Sequence, residues 1–156
     1  MNISGSYTVP AERELVYRLL QDPEILAKCV PGCDRLERVG ENEYQMKMKM
    51  MMGGLSGLFD GRISLTDAQP PQSFRMKVTG SGKIGFLNAE GTLNLEPNGT
   101  STDVKYEGEV QVGGTIASIG QRLLDVTSRM LINQFFEKLS REVKGASQAP
   151  LERTAS

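Results

Sequence analysis

The side chains that most often carry chemistry in enzymes are scarce in this sequence. It contains no histidine, so it lacks the usual general base, the usual metal ligand and every Ser-His or Cys-His nucleophile pair. Its two cysteines, Cys29 and Cys33, have neither a histidine nor a further cysteine to complete a four-ligand zinc site. We therefore predict plain thiols beside a turn and no metal, with redox function or metal binding as the alternatives.

A second pattern with chemical meaning is Gly80-x-Gly82-x-x-Gly85, in which the three glycines have the spacing of the dinucleotide-binding fingerprint. That fingerprint needs a helix after its last glycine, because the N-terminus of the helix receives the pyrophosphate. Residues 86–96 alternate like a strand instead. We therefore predict a bulge or tight turn that curves a sheet, and no bound cofactor.

The most unusual pattern is a run of methionines between residues 44 and 52. In an extended strand, one side would carry what we call the methionine ladder, which is Tyr44, Met46, Met48, Met50 and Met52. Its flexible thioethers either fill irregular gaps in a core or form the soft wall of a pocket for an apolar ligand. A shift of one residue in strand register would turn the ladder outward.

Strand patterns dominate the chain up to residue 112. Residues 2–9 alternate as a first strand, and two short helices are predicted at 11–20, with Pro10 at its start, and at 23–29, with Asp22 as its cap. Turns rich in glycine and proline separate six further predicted strands, at 35–39, 44–52, 59–67, 74–79, 86–96 and 104–112.

The longest helical pattern covers residues 115–144, where apolar residues recur in steps of three and four and no proline occurs. Such a helix would be roughly 45 Å long. Because its apolar stripe must be covered, we predict an α+β helix-grip fold, in which a curved seven-stranded antiparallel sheet wraps around this helix and two short helices lie between strands 1 and 2. Residues 1–144 would form one domain, followed by a disordered tail at 145–156.

Composition excludes several classes of protein. The chain has 156 residues and a formal net charge of −1, so its length fits one domain and its charge does not favour nucleic acid as a partner. It shows neither a signal-peptide pattern nor an apolar run long enough to span a membrane. We expect a cytoplasmic location, with peripheral contact at the inner face of the membrane as an alternative.

Several short motifs, taken together in this order, resemble the CoxG family of carbon monoxide dehydrogenase subunits, within the START/Bet v 1-like (SRPBCC) superfamily. They are Asp-Pro-Glu at 22–24, Cys-Val-Pro-Gly-Cys at 29–33, Gly-Leu-Phe-Asp-Gly at 57–61, the glycine motif at 80–86, and Val-Gly-Gly-Thr-Ile-Ala-Ser-Ile-Gly-Gln-Arg-Leu at 112–123. The resemblance covers roughly residues 2–143. It implies a helix-grip fold with an internal hydrophobic pocket, and an accessory role beside molybdenum-containing carbon monoxide dehydrogenases and related hydroxylases.

The ladder and the resemblance together predict a non-catalytic accessory protein that binds a hydrophobic small molecule, such as a lipid, an isoprenoid or a quinone-like compound. Small inward residues would leave space for this ligand, and larger apolar residues would surround it. The predicted ligand-pocket residues are Tyr44, Met46, Met48, Met50, Phe59, Ile63, Met76, Phe86, Ala89, Gly91, Tyr106, Gly108, Leu123 and Met130.

The glycine-rich turn after the ladder and the first turn of the long helix carry the residues that we predict at the pocket mouth or a docking surface. They are Met51, Met52, Leu55, Leu58, Gln121 and Arg122, which would contact either a molybdenum hydroxylase subunit or a membrane. Two alternatives remain: an enzyme of the polyketide cyclase type and an assembly chaperone with an empty cavity. Catalysis is the weaker hypothesis, because only Tyr7, Tyr44 and Tyr106 offer polar groups on the inward face.

Overall fold

The order of secondary structure is one strand, two short helices, six strands and one long helix. A computed structural model describes the backbone of residues 1–52 and 54–155, and side chains up to residue 145 except at positions 34, 35, 52 and 53. The elements are β1 Asn2–Val9, α1 Arg13–Leu20, α2 Pro23–Cys29, β2 Cys33–Gly40, β3 Glu43–Met52, β4 Leu55–Gln69, β5 Ser73–Gly82, β6 Gly85–Asn98, β7 Ser101–Gly113, a 3-10 helix Gly114–Ile119, and α3 Gln121–Ala155.

All seven strands form one antiparallel sheet in the order β1-β7-β6-β5-β4-β3-β2. Strands β2 to β7 are joined as successive hairpins, and β1 pairs with β7. Helices α1 and α2 therefore carry the chain from one edge of the sheet to the other. This arrangement confirms the predicted helix-grip fold.

A pair of glycines lets two strands approach closely in the middle of the sheet. Gly91 of β6 lies directly opposite Gly108 of β7. A Cβ atom at Gly91 would lie 2.7 Å from the carbonyl oxygen of Glu107, and one at Gly108 would overlap the carbonyl oxygen of Glu90. Because no side chain fits at either position, glycine is required there, and the bare backbone can bend where the sheet curves.

The long helix begins six residues later than the sequence predicts. Residues 114–119 form a 3-10 helix, and Gly120 then has a φ of +94°, which interrupts the helical backbone before α3 starts at Gln121. Glycine adopts this left-handed conformation at little cost. The α3 backbone continues to Ala155, past the boundary predicted at residue 144, whereas the side chains from 146 onward lie outside the described residues. The disordered tail therefore stays a prediction.

Strands β2 to β7 all extend past their predicted bounds, and the starts of α1 and β4 differ for local reasons. Helix α1 starts at Arg13 rather than at residue 11, because the amide of Ala11 donates to the carbonyl of Val9 and the chain is still turning there. Strand β4 starts at Leu55 rather than at Phe59, since Leu55 already pairs with Met52 of β3. The start of α2 is as predicted, with Asp22 accepting a hydrogen bond from the amide of Glu24 at 2.9 Å.

Two hydrophobic clusters lie between the sheet and α3. The larger one joins α1, α2 and the middle of α3 to the sheet, and its fully buried members include Leu20, Leu139 and Val143. The smaller one lies under the 3-10 helix and consists of Met50, Phe59, Ile116 and Leu124. Residues of both clusters border an internal cavity, which is the candidate functional site.

Candidate functional site

An apolar cavity of about 290 Å³ lies between the concave face of the sheet and α3. This volume is at the lower end of the range of about 300–1,000 Å³ that is typical of small-molecule sites. The sheet supplies most of the lining, and the two helices close the other side. From α2 and the turn after it come Leu26, Val30 and Pro31, and from α3 come Ser128, Leu131, Ile132, Phe135 and Phe136.

The middle of the methionine ladder faces this cavity. Met46, Met48 and Met50 line it from β3, and Met76 joins them from β5. The residues that alternate with them on β3, such as Lys47 and Lys49, are exposed on the convex face. The predicted register is therefore confirmed, and the cavity has a wall of unbranched, polarizable side chains that adapts easily to the shape of a ligand.

The structure brings most of the predicted ligand-pocket residues together around the cavity. Those that line it are Met46, Met48, Met50, Ile63, Met76, Ala89, Gly91, Tyr106 and Gly108. The cross-strand pairs Gly91–Gly108 and Gly91–Met76 place several of them in a single row across the sheet. Gly91 and Gly108 contribute bare backbone to the floor of the cavity.

Five residues predicted for the pocket lie elsewhere. Tyr44 and Phe59 are buried in the clusters beside the cavity without lining it. Phe86 is 46% exposed, because Leu87 and Ala89 take the inward positions of β6 and leave Phe86 on the convex side. Leu123 and Met130 are also exposed, since α3 turns Leu124, Ser128 and Leu131 toward the sheet.

Several lining residues are absent from the predicted set. Strand alternation offers a signal for Ile3, Val78, Leu87, Leu93 and Val110, which share the inward face with predicted residues. No local pattern predicts the lining residues from α2 and the turn after it, which are Leu26, Val30 and Pro31. Their position depends on how the helices close over the sheet.

Aromatic rings gather where α3 crosses the β1 and β7 side of the sheet. The ring centroid of Phe136 lies 5.2 Å from that of Tyr7, 6.0 Å from that of Tyr106 and 5.3 Å from that of Phe135. Such distances are favourable for ring contacts. The cavity is thus bounded by rigid rings on this side and by the flexible methionine ladder on β3.

The residues predicted at the pocket mouth lie around the end of β3, the start of β4 and the start of α3, and none of those whose side chains are described lines the cavity. Met51 and Leu58 are 75% and 71% exposed on the outward side, whereas Leu55 is only half-buried. Gln121 and Arg122 are exposed. The side chain of Met52 lies outside the described residues. We call Met51 and Leu58 the apolar lip.

The two cysteines differ in environment. Cys29 is fully buried at the end of α2, and burial, reinforced by the nearby carboxylate of Glu142, raises the pKa of its thiol to about 11. Cys33 is half-buried at the start of β2, and no disulfide joins the two. A buried thiol with a raised pKa is a poor nucleophile, which supports the structural interpretation of Cys29.

Two other features bear on the predicted chemistry. Gly82 and Gly85 pair across a two-residue turn between β5 and β6, so the glycine motif is a hairpin turn as predicted and no helix follows it. Within the described part of the chain, no three His, Cys, Asp or Glu side chains cluster so as to hold a metal ion. None of the described helices is long and apolar enough to cross a bilayer.

Comparison with known families gives a match over most of the chain. The family model for CoxG, described as a carbon monoxide dehydrogenase subunit, matches residues 5–144. A comparison with curated proteins gave no match.

Solved structures with the same fold are numerous. A conserved protein from Geobacillus kaustophilus is 37% identical to this chain, with a TM-score of 0.90 over 94% of this chain and 97% of its own. A START superfamily protein from Mycobacterium smegmatis is 14% identical, with a TM-score of 0.71 over 93% and 98%. The Zhui aromatase/cyclase from Streptomyces sp. R1128 is 13% identical, with a TM-score of 0.64 over 92% and 93%. The last two likenesses are evidence of the fold alone.

Proposed function

Because this chain belongs to the CoxG family of carbon monoxide dehydrogenase subunits, we propose that it is a non-catalytic accessory protein of a molybdenum hydroxylase or carbon monoxide dehydrogenase-type system. It binds a hydrophobic small molecule in its internal cavity and docks to the partner enzyme or to a membrane. The ligand is a lipid, an isoprenoid or a quinone-like molecule.

The observation that carries this proposal is the cavity itself. Its lining is almost entirely apolar, and it lies where a tightly packed core would otherwise be expected. The space of about 290 Å³ opens to solvent and exposes apolar side chains to water, which is a cost to stability that a bound apolar ligand would offset. The methionine ladder suits a ligand with a flexible chain, because methionine can repack around different shapes.

Support for docking comes from the apolar lip. Met51 and Leu58 are exposed on neighbouring strands, and Lys49 lies directly opposite Leu58. Large exposed apolar side chains beside basic ones suit a contact with another surface. The lip sits at the end of the strand that carries the methionine ladder, so docking there would bring the cavity close to the source or the recipient of the ligand.

A cavity-filling variant tests ligand binding directly. Ala89→Leu adds volume at a lining position, whereas Ala68→Leu makes the same change at an exposed position of β4. Both proteins would be incubated with a lipid extract of the host and examined by native mass spectrometry. We expect bound ligand in the wild type and in Ala68→Leu, with a loss of at least about tenfold in Ala89→Leu, which corresponds to about 1.4 kcal/mol. Equal occupancy in all three proteins would contradict binding in this cavity.

The alternative of a small enzyme of the polyketide cyclase type has one observation in its favour, since the hydroxyl-bearing residues Tyr106 and Ser128 line the cavity. General acid–base catalysis most often uses a histidine or a carboxyl group, and the sequence contains no histidine. We therefore keep catalysis as the second candidate. An assembly chaperone with an empty cavity would be the better hypothesis if no extract component bound.

A further inference from the structure

The inner surface of the cavity carries no charged side chain among the described residues. Three glutamates border it, but Glu90, Glu107 and Glu109 hold outward strand positions and their side chains are exposed, so they contribute main-chain atoms. The carboxylate of Glu90 accepts a hydrogen bond from Arg75 at 2.7 Å on the convex face. In the part of the chain that the structure describes, no lysine or arginine lines the cavity.

Three residues with a side-chain hydroxyl border the cavity, and they differ in what surrounds the hydroxyl. Thr92 holds an outward position and its hydroxyl accepts a hydrogen bond from Arg75 at 3.5 Å. The Tyr106 hydroxyl lies against the backbone of Gly5 on β1. Ser128 borders the cavity from α3, is half-buried, and has no side-chain hydrogen bond with another described residue.

Together these features determine which molecules the cavity accepts. A carboxylate moved from water into an apolar space without a cationic partner loses its hydration and gains nothing in return. An uncharged carbonyl loses far less, and a single donated hydrogen bond compensates for much of that loss.

We propose that the cavity selects uncharged amphiphiles that carry a hydrogen-bond acceptor, to which the Ser128 hydroxyl donates, and rejects carboxylates of the same length. This inference rests on the proposed function, since it specifies the ligand class of that same cavity. Ser128 acts as a specificity residue, and the methionine ladder contacts the hydrocarbon part of the ligand.

The test uses the full chain and three probes of equal length that displace the uncharged dye Nile red: dodecane, 2-dodecanone and dodecanoate. At pH 8 we expect 2-dodecanone to bind at least about 100-fold more tightly than dodecanoate, given the cost of burying an unpaired charge. Dodecanoate should gain affinity as the pH falls towards about 4 to 5, where a carboxyl group becomes neutral, while 2-dodecanone does not change.

Variants of Ser128 isolate the hydrogen bond. Ser128→Ala should weaken binding of 2-dodecanone by about threefold to tenfold without changing the affinity for dodecane, and Ser128→Thr should retain the ketone preference. Ser140→Ala is the matched control on the same helix, because Ser140 is outside the cavity and its buried hydroxyl has no hydrogen-bond partner. It should bind all three probes like the wild type.

Two results would overturn the inference while leaving the proposed function intact. One is dodecanoate binding as tightly as 2-dodecanone at pH 8, and the other is an unchanged preference for ketone over dodecane in Ser128→Ala. If neither Nile red nor any of the three probes binds, the proposed function itself fails, and the inference is overturned with it.

Discussion

Two regions along α3 pack against the sheet in different ways. In the packed end, which we define by Val9, Leu20, Cys29, Leu139 and Val143, the side chains are buried with almost no exposed surface. In the cavity region, the sheet-facing residues Leu131, Ile132 and Phe135 remain half-buried, because they face open space rather than other side chains. The same helix thus stabilises the fold at one end and leaves room for a ligand further along.

Because the two regions are packed differently, we expect substitutions in the packed end to lower the free energy of unfolding and substitutions in the cavity region to change ligand binding. A residue of the packed end has no space to relax into, so truncation leaves a new void. A residue of the cavity region already borders a void, and truncation only enlarges it. Truncations in the packed end should therefore lower stability more than truncations in the cavity region.

The strongest test compares two leucines on α3. Leu139→Ala should lower the free energy of unfolding by about 2–5 kcal/mol, because Leu139 is fully buried in the packed end. Leu131→Ala should cost less than about 2 kcal/mol, since Leu131 lines the cavity. Urea unfolding of both variants measures the difference. Equal losses would show that the two regions are packed alike.

The floor of the cavity should be less tolerant than its walls. Gly108→Ala should lower the free energy of unfolding by about 1–3 kcal/mol, because the new methyl group would overlap the backbone of β6. Gly145→Ala is a control near the end of the described side chains, where a Cβ atom meets nothing within 4 Å, and stability should be unchanged or slightly raised. A tolerated Gly108→Ala would mean that the two strands do not approach as closely as described.

The pH dependence of stability tests whether the Cys29 thiol is buried in the packed end. Burial raises the pKa of this thiol to about 11 in the folded protein from a usual value of 9.0, so the unfolded chain loses its proton first as the pH rises. The stability contributed by the neutral buried thiol is fully present below about pH 9 and is lost as the pH rises through about 9 to 11.

The variant Cys29→Ala serves as the control, because all other ionisable groups are the same in both proteins. The difference between the two pH profiles of stability is therefore due to the thiol. Urea unfolding between about pH 8 and 10.5 should show a steeper loss of stability in the wild type than in the variant. Parallel pH profiles for the two proteins would contradict the burial of this thiol.

Much of the fold follows from local patterns, and the cavity follows from them only in part. Strict alternation on β3 predicts the orientation of the methionine ladder, because lysines occupy the opposite side of the same strand. The predicted face of α3 is wrong at Leu123 and Met130 for a physical reason. The predicted stripe runs through Ile116 and Ile119, but these residues belong to a 3-10 helix, and Gly120 resets the helical phase before α3 begins.

Long-range packing explains the lining residues that no local pattern predicts. Val30 and Pro31 border the cavity because α2 folds back over the concave face, which depends on the curvature of the whole sheet. The prediction for Phe86 is wrong because its strand has apolar residues on both faces at this point, where Leu87 follows it directly. Alternation with Ala89 and Gly91 places Leu87 on the inward face, so Phe86 belongs on the outward face.

The smallest effect on stability is expected at the apolar lip. Leu58→Ser should change the free energy of unfolding by less than about 0.5 kcal/mol, because Leu58 is 71% exposed. It should nevertheless weaken binding to the docking partner or to lipid vesicles, measured by co-sedimentation. Thr66→Ser, an exposed change further along β4, serves as the control. Unaltered docking in Leu58→Ser would exclude the lip as the contact surface.

Native mass spectrometry with solvent extraction, applied to the protein purified from its own host, tests the central claim most directly. We expect one apolar molecule per chain, uncharged and extractable into organic solvent. A chain that is consistently empty, even after incubation with a lipid extract of the host, would contradict ligand binding and favour a role in assembling the partner enzyme.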